Sequence, residues 1–238
     1  MKTDYWVLMF ILVSAIVWTV YSRKLTIQAA LTGGALGLIL FEGTGFTGVV
    51  MMAVFFLLAT AATSWKRHFK EAYGLAEKNK GKRTTGQVLA NAGAAGITAL
   101  LIITWPKETD LFRLMMAASF AAATADTLSS ELGNVYGRKY YNILTLKLDT
   151  RGLDGVVSIE GSALGLTGSL IIATIYNIGF GWNPYYLVII IVSGTIGNLA
   201  DSILGASLER RRLLNNDAVN FLNTMIAALA AMVMQFLF

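Results

Sequence analysis

Ala125-Asp126-Thr127-Leu128-Ser129-Ser130-Glu131-Leu132-Gly133 closes an apolar run that begins near Leu111. A helix needs ~20 such residues to cross a bilayer, and this run is of that length. Its last turns carry two carboxylates. An acid inside a span costs roughly 2.5–3.5 kcal/mol on insertion scales and marks a functional position by default. A second stretch repeats the pattern, Asn198-Leu199-Ala200-Asp201-Ser202-Ile203-Leu204-Gly205, again at the end of an apolar run. Both carry Ala-Asp followed by a hydroxyl residue. They read as two halves of one polar site at the membrane surface.

The rest of the chain fits a membrane setting. It is 55% hydrophobic and only 14% charged, with a mean hydropathy of +0.61. Soluble domains carry about 25% charged residues. The expected fold is all-α, a polytopic transmembrane helical bundle of about 7–8 spans in a single integral-membrane domain over residues 1–238. The spans fall near Asp4–Tyr21, Thr26–Phe41, Phe46–Trp65, Gly86–Trp105, Leu111–Glu131, Ser158–Phe180, Pro184–Leu204 and Asp217–Leu237. The second is short enough to be re-entrant. The first lacks the small-residue cleavage site of a signal peptide, and its charges Arg23 and Lys24 follow it. Many of the 23 glycines fall inside apolar runs, which suits close helix packing in lipid. With no cysteine, disulfides and thiolate metal sites are excluded.

Loop charge sets the orientation. Sixteen of the 19 Lys and Arg residues fall in alternate loops, around Arg23, Lys66–Arg83, Arg138–Arg151 and Arg210–Arg212. Such loops stay in the cytoplasm, so both termini are expected outside. The site is then expected to face the cytoplasm, and the expected location is a prokaryotic inner (plasma) membrane. The net charge of +5 is accounted for by topology, and no nucleic-acid partner is implied.

With this orientation the unusual polar residues fall on one side. Gln87 and Asn91 open the fourth span. Asp126 and Glu131 end the fifth. Asp154, Ser158 and Glu160 lead into the sixth. Asn198, Asp201 and Ser202 end the seventh, and Asn216, Asp217, Asn220 and Thr224 open the eighth. Spans four, six and eight point their N-termini to the cytosol, and free N–H groups favour phosphate. Spans five and seven bring carboxylates, whose oxygens suit Mg²⁺. Plainer roles stay open: a structural polar pair for Asp126 and Asp201, a solvated helix end for Glu131, and a cap for Asp217. Asn91 and Asn220 could be interhelical glue, and the Lys80–Arg83 cluster could serve topology alone. The single histidine, His68, sits in a basic loop, so the chemistry must need little proton transfer. Phosphoryl transfer, which rests on positioning and charge neutralisation, fits.

Five ordered motifs carry a resemblance. Gly74-Leu75-Ala76-Glu77-Lys78-Asn79-Lys80-Gly81-Lys82-Arg83, followed by Gly86-Gln87-Val88-Leu89-Ala90-Asn91, resembles the first motif of the integral-membrane phytyl-phosphate kinase family. Asp126-Thr127 through Gly133 resembles the second. Asp154-Gly155-Val156-Val157-Ser158 with Gly161 resembles the third. Asp201-Ser202 with Gly205-Ala206, then Asn216-Asp217 with Asn220-Phe221, resemble the last two. The resemblance runs from Lys66 onward, and the first three spans match in character alone. In the third motif Arg151 and Val156 stand near places where the family often has proline and a second glycine.

The resemblance implies transfer of a phosphoryl group from a nucleoside triphosphate to an isoprenyl monophosphate such as phytyl or geranylgeranyl phosphate. Similarity to membrane enzymes that use CTP makes CTP the expected donor. Asp126, Asp201, Asp154, Lys80 and Arg83 are then the expected catalytic residues. Lys82, Gln87, Asn91, Thr127, Gly155, Ser158, Asn198, Ser202 and Asn220 are expected to bind nucleotide or phosphate. Asp126, Glu131, Asp201 and Asp217 are the expected Mg²⁺ ligands. The prenyl tail is expected between spans four to eight. Two alternatives stand beside this reading: a cytidylyltransferase-like enzyme, and a lipid or small-molecule transporter.

Overall fold

A computed structural model describes residues 2–76 and 81–237. The long helices are α1 (Lys2–Tyr21), α2 (Ile27–Thr44), α3 (Phe46–Ser64), α5 (Thr85–Thr104), α6 (Thr109–Tyr136), α7 (Ile159–Phe180), α8 (Pro184–Leu204) and α9 (Asn216–Leu237). A short α4 (Arg67–Ala72) follows α3. Two-residue strands β1 (Tyr141–Asn142) and β2 (Val156–Val157) pair antiparallel in the α6–α7 connection. Each expected span coincides with one long helix.

Among the described residues, seven helices are long and apolar enough to cross a membrane. The eighth long helix, α6, stands outside that group for a physical reason. It packs against α3, α5, α7, α8 and α9, so protein rather than lipid surrounds it. An unbroken stretch from Leu114 to Ala125 is buried, most of it small residues. A helix sheathed by protein can carry Asp, Glu and hydroxyl side chains that lipid would reject. The α2 segment, open to a re-entrant reading, is an ordinary helix of 18 residues. The α6 segment corrects an expectation: it does not end at Glu131 but runs to Tyr136. Asp126 therefore lies about 15 Å before the helix end rather than at it.

Small residues bring α7 onto α6. Gly161, Gly165 and Gly168 share a face of α7, and a Cβ on Gly161 would stand 2.8 Å from the Ser129 carbonyl oxygen. On α8, Gly194 and Gly197 meet Ala121 and Ala122 of α6 in the same way. Such seams let backbones approach closely where lipid supplies no hydrophobic drive.

The basic loops gather at one end of the bundle. The Arg83 N–H donates to the Lys24 carbonyl at 2.9 Å, and Thr26 N–H donates to the Arg83 carbonyl at 3.1 Å. Lys24 Nζ reaches Ser64 Oγ at 3.0 Å, and Trp65 Nε1 donates to the Tyr136 hydroxyl at 2.8 Å. Pro106 and Pro184 open turns at the opposite helix ends, where a missing N–H does no harm.

Candidate active site

At the end where the basic loops meet, α6, α7, α8, α9 and the α6–α7 connection enclose a polar cavity of about 170 Å³. Asp126 and Asp201 face each other across it, their carboxyl groups in direct side-chain contact. Asp154, Gly155, Ser158, Asn198, Ser202 and Asn220 line the same cavity. The structure thus gathers eight of the expected residues from four helices and a loop.

Each is placed by a local cause. Ser158 caps α7, its Oγ accepting from Gly161 N–H at 3.0 Å, which leaves the start of α7 facing the cavity. The start of α9 faces it through Asn216. Asn198 is fixed by Ser129, whose Oγ lies 3.1 Å from Asn198 Oδ1. Asp201 accepts from Asn223 Nδ2 at 3.2 Å. Asn223 is fully buried, and its Oδ1 accepts from no group among the described residues.

The Asp154–Gly155 turn is held against α8. Arg210 Nε donates to the Asp154 carbonyl at 2.6 Å, and its guanidinium also binds Asp149 at 2.9 Å. The Thr150 N–H, Asn142 and Arg210 together hold the Asp149 carboxyl below its ordinary range. This brace is therefore complete at neutral pH and is lost only as acid titrates Asp149. Gly155 adopts φ +69°, and a Cβ there would collide with Ala206 and the Ser202 carbonyl. Gly155→Ala is expected to cost about 1–2 kcal/mol from the left-handed conformation alone, and more from the collision. Thermal unfolding and limited proteolysis of the 137–158 connection would register it, together with a loss of any activity of the site.

Other expected residues lie elsewhere. Glu131 sits five residues beyond Asp126, about 140° further round α6. It faces away from the cavity and pairs with Lys70 and Thr63. The structure puts it in an ion pair outside the acid cavity. Asp217 stands beside Gly86 in an apolar groove between α2, α5 and α9. The α9 cap is Asn215, whose Oδ1 accepts from Ala218 N–H at 2.8 Å. Gln87 closes a capping box with Thr84 at the start of α5. Asn91 donates to the Gln87 carbonyl at 2.9 Å. Thr127 donates back to Ala123 at 2.9 Å, and Lys82 is exposed. Arg83 lies over Phe55 and Phe56, its guanidinium 5.9 Å from each ring, and lines a separate apolar cavity with Gln87 and Asn91. Lys80 lies outside the described residues.

Sequence reasoning missed Ser129, Tyr140, Glu209 and Asn223. The first three line the cavity, and Asn223 holds Asp201. Asn223 carried a signal: it lies one turn beyond Asn220 in an otherwise apolar helix. Glu209 did not, because it sits in a π-helical turn over Gly205–Glu209 that no periodicity announces. Among the described residues, no three acidic or histidine side chains stand close enough to hold a metal ion unaided.

The chain is 35% identical over 206 residues to Protein VTE6, chloroplastic, of Arabidopsis thaliana, covering 84% of this chain and 62% of that one. The chain therefore spans less than two thirds of that relative's length. It is 33% identical to an uncharacterized membrane protein of Synechocystis sp. over 82% of this chain and 77% of the relative. A third relative, an uncharacterized membrane protein of Methanocaldococcus jannaschii, is 31% identical over 87% and 84%. No solved structure matches. The profile of one family matches residues 10–228, and the chain belongs to that family, the integral membrane protein DUF92 family.

Proposed function

We propose that this membrane protein is a phosphotransferase that moves the γ-phosphoryl group of a nucleoside triphosphate, CTP by preference, to an isoprenyl monophosphate at the cytosolic face of a plasma membrane. The observation that carries this is the Asp126–Asp201 contact in a cavity that the starts of α7 and α9 also face. Acids for a cation and helix N-termini for phosphate make a binding set for a metal–polyphosphate. The resemblance to the phytyl-phosphate kinase family supports the choice of acceptor.

Mg²⁺ keeps several waters and takes one or two carboxylates plus substrate phosphates. A pair of acids without a third close ligand suits that habit. Asp126 and Asp201 would hold the ion, which supplies charge neutralisation on the transferring group. Gly155 N–H, Ser158, Asn198 and Asn220 would orient phosphate oxygens. The acceptor's phosphate oxygen, already ionised at pH 7, bonds to the γ-phosphorus as the bond from that phosphorus to the bridging oxygen breaks. A nucleoside diphosphate leaves, and no general base is required. Arg210 steadies the turn that carries Asp154.

Purified protein should be incubated with Mg²⁺, geranylgeranyl or phytyl phosphate, and CTP, ATP, GTP or UTP in turn. Prenyl diphosphate with a nucleoside diphosphate by mass spectrometry is the expected result. A nucleotide-linked lipid with pyrophosphate would move the reading to a cytidylyltransferase. Absence of turnover with every donor, and of any nucleotide effect on thermal stability, would remove both.

A further inference from the structure

A second cavity, of about 250 Å³, lies between α1, α2, α3 and α5. No described residue lines both it and the acid cavity. Its wall is apolar and aromatic, built from residues such as Leu12, Ile16, Val49, Phe55 and Phe56. Its polar lining gathers at one end: Arg83, Gln87 and Asn91 along the start of α5, with Thr19 near the end of α1. Arg83 also lines a small polar recess with Lys24 and Arg67. The result is an apolar slot with a cationic mouth at the basic end of the bundle.

We infer that this cavity binds a single-chain anionic lipid of the isoprenyl phosphate class, its chain between α1, α2, α3 and α5 and its phosphate against Arg83. Charge complementarity fixes the head: the Arg83 guanidinium, with Lys24 lining the adjoining recess, favours an anion and suits phosphate in a fork, while Arg67 beside them is matched by Glu71 at 2.7 Å. Size fixes the tail. At about 250 Å³ the cavity lies just under the ~300–1,000 Å³ of small-molecule sites, which suits part of one chain better than two acyl chains. Small residues, Ala15, Ala30, Gly33 and Ala53, stand among the larger ones in the wall and leave room for methyl branches. The expected tail path between spans four to eight belongs to the reacting acceptor; this cavity, which shares no described lining residue with the acid cavity, is a holding site beside it. The choice of an isoprenoid over a straight chain rests on the proposed acceptor; the site itself does not.

The test uses the whole protein in phosphatidylcholine nanodiscs without nucleotide. The probe is geranylgeranyl phosphate carrying a diazirine in its chain, with adducts mapped by mass spectrometry. Adducts are expected on α1, α3 and α5, around Trp18 and Phe56. A Cβ at Gly33 meets nothing within 4 Å, so Gly33→Phe fills the slot and is expected to remove most labelling. Arg83→Gln is expected to erase a preference of about tenfold for geranylgeranyl phosphate over geranylgeraniol as competitor, the worth of one charge-assisted hydrogen bond. If Gly33→Phe does not fold, the Arg83→Gln competition decides alone. Asp126→Asn should label like the parent. Labelling confined to α6–α9, equal competition by phosphatidylglycerol, or labelling indifferent to both Gly33→Phe and Arg83→Gln would overturn the site. Without nucleotide present, labelling survives even if no kinase activity exists, so the two readings fail separately.

Discussion

Asp126→Asn and Asp201→Asn are each expected to lower phosphoryl transfer by about 10²–10³-fold or more, the scale of losing one electrostatic stabiliser of a transition state, while leaving the protein as stable as the parent or more so. The second half of that expectation is the discriminating one. The two carboxyl groups touch across α6 and α8 in a cavity that Asp154 and Glu209 also line. Two carboxyl groups held this close cannot both stay ionised unless a cation stands between them. A neutral amide in place of one frees the protein alone from that constraint and removes the cation's seat from the working complex. Thermal unfolding without Mg²⁺ should then show an unchanged or raised midpoint. The midpoint gain that Mg²⁺ with nucleotide gives the parent, set by mass action, should vanish in both variants. If the acids instead pin the helices together, each variant would lose stability first and activity only in proportion. Asn223→Ala separates the roles further. It removes an amide bonded to Asp201 and should weaken Mg²⁺-nucleotide stabilisation less than Asp201→Asn does.

The spans were legible because lipid imposes a simple rule, a long apolar run between charged loops, and seven of the described long helices follow it, α6 being sheathed by protein instead. The pairing of Asp126 with Asp201 was legible because buried acids in spans are rare enough to be matched by pattern. What the sequence hid is rotation. Asp126 and Glu131 look alike in the chain, yet a five-residue step turns them to opposite flanks of α6, and only packing decides which flank meets α8. Arg83 and Gln87 were hidden likewise: they open the right helix at the right end but look toward α1 and α3. The length of α6 was misread because its last turns, Leu132 to Tyr136, are held by a Gly133–Gly161 contact and by the Trp65–Tyr136 hydrogen bond. Neither can be seen in a local window. The N-terminal spans looked uninformative since an apolar cavity leaves no motif.

Glu131→Gln is expected to destabilise the protein by about 3–5 kcal/mol, the usual result of removing one member of a buried ion pair. Lys70 is the reason. Its side chain is 1% exposed, and Nζ donates to the Ala62 carbonyl at 2.7 Å, to the Thr63 carbonyl at 3.2 Å and to the Glu131 carboxylate. Two of these acceptors are among the last carbonyls of α3, where a cation also suits the helix dipole. One ammonium thus fastens α4 to the end of α3, and Glu131 ties both to α6. Taking away the carboxylate leaves the ammonium buried without its counter-charge. On a scale of 2–4 °C per kcal/mol for a domain of this size, the unfolding midpoint should fall by about 6–20 °C. Lys70→Met should fall as well, because the α3 carbonyls lose their donor. The double variant Lys70→Met/Glu131→Gln should lose less than the two single losses added, since neither charge is then left alone. A metal-ligand role for Glu131 predicts the reverse pattern: a stable Glu131→Gln protein without activity, and no rescue by Lys70→Met. The cycle of four proteins, each read for midpoint and for turnover, decides between an ion pair that builds the fold and a ligand that serves the chemistry.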